Sequence, residues 1–151
     1  MAWRFLAGLL LAVALAPPAA GAASLPGPVA ADVVRVVDGD TLAVRARIWL
    51  DQAVETLVRI EGVDTPELRG SCAFERALAE QARDALARMV EGGAVSLVDV
   101  RHDKFGGRVR AVVLDAEGRN VADGLIAAGL ARAYSGGRRE PWCSDETGEE
   151  P

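Results

Sequence analysis

A single histidine and two cysteines are the only candidate nitrogen and thiolate zinc ligands in this chain. His102, Cys72 and Cys143 do not stand at the spacing of a zinc site, so that class is excluded. After the first apolar run no second one follows, so nothing beyond the N-terminus is predicted to enter a membrane. No internal repeat is present, which argues against a solenoid. Excess positive charge is also missing. The whole chain carries 17 bases against 22 acids, and residues 32–139 carry 16 against 17. A nucleic-acid ligand would therefore meet no global positive field and would need a local cationic site.

The two ends read differently from the middle. Arg4, the apolar run from Phe5 to Ala16 and the small-residue pattern Ala20-Gly21-Ala22 form a secretory signal peptide over residues 1–22. The alternative, a membrane anchor, needs a longer run. Secreted or periplasmic export follows, with cleavage near Ala22. Residues 23–31 carry no charge and read as a flexible leader, residues 32–143 as one domain, and residues 144–151 as an acidic tail. In an exported chain an even cysteine count points to a disulfide, here Cys72–Cys143, with two buried thiols as the alternative. Closing a loop of about 72 residues is worth roughly 4 kcal/mol in the chain-entropy model.

Periodicity predicts the elements of that domain. Val33 to Val37 is a β-branched strand, and Asp38-Gly39 is a hairpin-turn dipeptide. From Thr41 onward Leu42, Val44, Ala46 and Ile48 share one face of a second strand. A third runs from Val54 to Glu61, with Arg59 on the face opposite Val58 and Ile60. Residues 72–91 change to helical period, with Phe74, Leu78, Ala82, Ala85 and Met89 on one stripe. Arg76/Glu80 and Asp84/Arg88 form i,i+4 pairs on the other side. Strands over 95–100 and 108–114 follow, then a second helix capped by Asn120 and stopped at Gly129. The fold class is mainly β with helices (α+β). The architecture is an OB-fold, a five-stranded Greek-key barrel with a helix after strand three and a short helix after strand five.

The chemistry concentrates at the ends of these strands. Asp40 closes a tight turn; Arg59, Asp64 and Glu67 crowd into nine residues around a Thr65-Pro66 turn. Asp103 to Arg108 adds a second guanidinium. Carboxylates able to hold a hard cation, beside arginines able to fork onto phosphate, suit metal-assisted phosphodiester cleavage.

In these motifs the chain resembles the staphylococcal-nuclease-like (thermonuclease, micrococcal nuclease) family. They are Val37-Asp38-Gly39-Asp40-Thr41, Arg59 with Val63-Asp64-Thr65-Pro66-Glu67, Asp103-Lys104-Phe105-Gly106 and Gly129-Leu130-Ala131. The resemblance implies calcium bound by Asp40, Asp64 and the Thr65 carbonyl. It gives Glu67 as the base that activates water, and Arg59 and Arg108 as the phosphate-binding arginines. Single-stranded or denatured DNA and RNA become the substrates, cut at the P–O5′ bond to leave 3′-phosphates, by a monomer.

Some residues depart from the family pattern. An extra glycine precedes Arg108, leaving Arg110 as the alternative on the same strand face. Phe105 stands where the family has tyrosine, and one of two nucleotide-contacting tyrosines remains, Tyr134. Residues 135–143 replace a C-terminal helix. Lys104, Tyr134 and the Arg138-Arg139 pair are further candidates for substrate contact. The competing readings are a catalytically silent OB-fold that binds nucleic acid, polysaccharide or protein, and a structural envelope protein.

Overall fold

A computed structural model describes residues 23–143. The predicted signal peptide and acidic tail lie outside the described residues.

The elements follow in the order β1 (Ser24–Leu25), β2 (Val29–Val36), β3 (Thr41–Trp49), β4 (Gln52–Ile60), β5 (Val63–Asp64), α1 (Ala73–Met89), β6 (Ala94–His102), β7 (Arg108–Leu114), α2 (Val121–Ala127) and β8 (Arg132–Ala133). Strands β2, β3, β4, β7 and β6 pair in that order, and β6 pairs back onto β2 to close the barrel. All these pairings are antiparallel except β4–β7, which is parallel. This closed, mixed five-stranded barrel with two helices is the expected OB-fold. Alternation decides the inward faces. Leu42, Val44 and Ala46 of β3, Val58 and Ile60 of β4, and Ala111 and Val113 of β7 are all buried. Leu86 of α1 and Leu125 of α2 complete the core.

Three expectations are corrected. Residues 23–31 are not a loose leader: β1 pairs with β6, and β2 begins at Val29, with Ala31 opposite Val95. Backbone hydrogen bonds from β6 supply the order that the Pro/Gly-containing segment does not encode. In α1 the buried stripe runs through Glu75, Ala79, Ala82, Ala85 and Leu86, while Phe74 is 64% exposed. The i,i+4 pairs of α1 also do not form. Arg76 donates to the Gly70 carbonyl, and Asp84 pairs with its neighbour Arg83.

Cys72, the N-cap residue of α1, is joined to Cys143 by a disulfide. Glu75 lies close to both sulfurs, but bonded sulfurs are not thiolate ligands, so the trio is not a metal site. No helix among the described residues is long and apolar enough to cross a membrane.

Candidate functional site

The site is assembled from the turn before β3 and the loop after β5. In the turn between β2 and β3 the Asp38 carboxylate accepts from the Asp40 amide at 3.1 Å. The Asp40 carbonyl then accepts from the Ile60 amide at 2.8 Å, which locks the turn onto the end of β4. Gly39 is needed because a Cβ there would come within 2.9 Å of Ala82 Cβ and 3.0 Å of the Thr65 side chain. The missing side chain lets the turn lie against both α1 and the loop after β5. That loop is held by Glu75, whose buried carboxylate accepts from the Glu67 and Ser71 amides, each at 3.2 Å.

Asp40 and Arg59 meet across the β3–β4 ladder, where Thr41 stands opposite Arg59. Arg59 Nη1 donates to Asp40 Oδ1 at 2.9 Å, and the Thr41 hydroxyl donates to the same oxygen at 3.0 Å. Burial pushes the Asp40 carboxyl up to about 6, with Arg59 opposing the rise and Asp38 adding to it. Arg59 Nη2 is buried and meets no acceptor among the described residues. Half of that guanidinium fork is therefore committed to Asp40 and the other half is free for a ligand oxygen.

Asp64 and Thr65 are each 3% exposed. Trp142 Nε1 donates to Asp64 Oδ2 at 3.2 Å. Arg139 Nε lies 2.9 Å from Asp64 Oδ1, an ion pair by distance. Its N–H is not aimed at that oxygen, which is left buried without an aligned donor. The same guanidinium donates through Nη1 to Glu67 Oε1 at 2.6 Å. Partial burial works against the Arg139 charge, but Glu67, Asp64 and Asp40 outweigh it and raise its pKa.

A cleft of about 610 Å³ is lined by Asp40, Arg59, Thr65, Glu67, Lys104, Arg108, Arg110, Tyr134 and Arg139, among others. It unites every candidate metal-binding, catalytic and substrate-contacting residue named from the sequence except Asp64 and Arg138. Asp64 lines a neighbouring cleft of about 330 Å³ beneath residues 138–143, with Thr65, Glu67 and Arg139 common to both. Arg108 forms a salt bridge with Asp103 and its guanidinium sits 4.9 Å from the Phe105 ring. Burial alone would raise the Asp103 carboxyl, but Arg108 and the Lys104 amide hold it below its ordinary value. Lys104 Nζ lies 5.1 Å from the same ring, and the Tyr134 hydroxyl donates to the Gly137 carbonyl at 2.8 Å.

The parallel β4–β7 register places Arg110 opposite Arg59 and Arg108 opposite Leu57. Because β7 runs parallel to β4, Arg110, the alternative on that strand face, is the residue level with Arg59.

Two residues carry more of the site than the sequence indicated. Glu75 had no visible role because its contacts are backbone amides. Arg139 was one of a pair; its place four residues before Cys143, the partner of Cys72, was the available signal.

The model of the staphylococcal nuclease homologue family matches residues 57–147, more than half of the chain. The chain belongs to this family, on a nuclease-like fold. The match covers Arg59, Asp64, Thr65, Glu67, Arg108 and Tyr134. The Asp40 turn precedes it and is joined to it by the β3–β4 ladder. No curated protein matches the chain.

Proposed function

We propose that the protein is a calcium-dependent nuclease that hydrolyses phosphodiester bonds of single-stranded or denatured DNA and RNA. The observation carrying this reading is the convergence of Asp40, Thr65, Glu67, Arg59 and Arg108 on one cleft, with Asp64 in the adjoining cleft that shares Thr65, Glu67 and Arg139 with it.

The donor set fits the cation. Asp40, Asp64 and the Thr65 carbonyl offer only oxygen, as calcium prefers, and Asp64 Oδ1 is buried without an aligned hydrogen bond. Bound there, the ion would supply Lewis-acid polarisation of a phosphoryl oxygen. Arg59, anchored on Asp40 with Nη2 free, is set to hold a phosphate oxygen. Glu67, on a loop fixed by Glu75, takes the proton of the attacking water.

Arg108 is proposed as the second phosphate arginine. Its side chain is 21% exposed against 40% for Arg110, and Asp103 and Phe105 fix its direction. Losing such a charge-assisted contact from the transition state should lower turnover on the order of 10²-fold in Arg108→Ala. Arg110→Ala should cost far less, and mainly at low salt. The opposite ranking under saturating calcium would assign the contact to Arg110, level with Arg59.

The reading also includes export through residues 1–22, supported by a disulfide that suits an oxidising compartment. End-group analysis of cleaved oligonucleotides tests the reaction itself. Products with 3′-phosphates and 5′-hydroxyls are expected, and 5′-phosphates would contradict it. Magnesium should support little turnover, because it demands tighter geometry and releases its waters reluctantly.

A second reading, a silent binding module, draws on the ion pairs that Arg139 makes with Asp64 and Glu67. It predicts nucleic-acid binding with no cleavage under any cation.

A further inference from the structure

The segment from Gly136 to Cys143 is fastened at several points. Gly136 and Gly137 take φ values of 104° and 96°, a backbone conformation that favours glycine. Arg132 Nη1 donates to the carbonyls of Glu140 and Pro141 at 3.3 and 3.1 Å, and its guanidinium stacks 3.8 Å from the Trp142 ring. Trp142 reaches Asp64, and Cys143 is bonded to Cys72. Within this strap the Arg139 guanidinium pairs with both Asp64 and Glu67. Arg139 lines both the cleft that contains Asp64 and the larger cleft that Asp40 lines.

We infer that Arg139 is a built-in competitor for the cation site, a tethered guanidinium that must leave Asp64 before a divalent cation binds there. This rests on the reading of Asp40 and Asp64 as cation ligands. A calcium ion sits about 2.3–2.6 Å from its ligand oxygens. Arg139 Nε is already 2.9 Å from Asp64 Oδ1. Two cations on one buried carboxylate oxygen would lie within a few ångströms and repel strongly, so occupation is exclusive. The disulfide and the Arg132 contacts keep the strap in place, which makes the competition intramolecular. The apparent affinity for calcium is then the intrinsic affinity reduced by the fraction of molecules in which Arg139 has moved away.

The test is calorimetric titration of calcium chloride into the purified protein and its variants, with thermal unfolding in chelator as the fold check. Arg139→Gln should bind calcium at least ~10-fold tighter than the unsubstituted protein, because the competing charge is gone. Arg139→Lys, which keeps a cation on the strap, should stay within about threefold. Arg138→Gln removes a neighbouring exposed charge and should leave the affinity unchanged. Equal or weaker binding by Arg139→Gln overturns the inference while leaving the cation site standing. Equal tightening by Arg138→Gln also overturns it, since bulk charge would then be the cause. Absence of calcium binding in every protein overturns both the inference and the reading beneath it. If Arg139→Gln does not fold, the double variant Cys72→Ser/Cys143→Ser decides. Freeing the strap should tighten calcium binding by about threefold or more, and an unchanged affinity overturns the inference.

Discussion

Replacing Glu67 with glutamine is expected to lower turnover at least ~10²-fold while leaving substrate affinity nearly unchanged. The substitution keeps the size and planar shape of the side chain and removes its negative charge and its capacity to take a proton. The backbone at this position should not respond. The Glu67 amide is held by Glu75, and the Glu67 carbonyl accepts from the Gly70 amide at 2.8 Å. The Glu67 side chain is 59% exposed, so no core packing depends on its charge. One competing effect is loss of the ion pair with Arg139, which would loosen the strap. That change acts on calcium affinity, whereas the base acts on the rate at saturating calcium and substrate. Measuring kcat and KM separately under saturating calcium distinguishes them. Near-normal kcat in Glu67→Gln would mean another group accepts the proton.

Asp64→Asn is expected to weaken calcium binding on the order of 10²–10³-fold, and turnover at limiting calcium should fall in parallel. Removing one negative charge about 4 Å or less from a divalent ion is worth several kcal/mol at an effective dielectric near 20. Asparagine preserves shape, and its carbonyl can still accept from Trp142 Nε1, so the loop after β5 should remain in place. Arg139 would lose its charged partner at that position and keep Glu67. The measurement is calcium affinity by calorimetry beside the rate at several calcium concentrations. Unaltered affinity would show that the cation does not use Asp64.

The barrel was legible because its strands alternate cleanly. Leu42, Val44 and Ala46 announce the inner face of β3, and Val58 with Ile60 that of β4, which leaves Arg59 facing away from the core. The Asn120 cap was equally plain, since its side chain needed only the Ala122 amide two residues on. Local pattern failed where distant partners decide. Residues 29–31 look like a loop by composition, yet the β6 backbone recruits them into β2. Hydrophobicity chose Phe74 as an anchor of α1, whereas the helix is rotated so that the Glu75 carboxylate can satisfy two loop amides. The extension of β6 to His102 passes a register shift at Asp99, whose φ of 53° no strand pattern announces.

The site shows the same division. Asp40, Arg59, Thr65 and Glu67 were readable because each sits at a strand exit or tight turn whose geometry is local. The order of Arg108 and Arg110 relative to Arg59 depends on the parallel β4–β7 register, a tertiary fact. Arg139 reaches Asp64 and Glu67 only once the chain has closed on Cys72, so from the sequence it stood only as one of a pair of candidates for substrate contact.

The most direct measurement is the initial rate of single-stranded DNA hydrolysis by the purified protein as free calcium is raised from excess chelator to saturation. The account predicts no detectable cleavage in chelator, a saturable rise with calcium, and little rate when magnesium replaces it. A rate in chelator equal to that in calcium would contradict it.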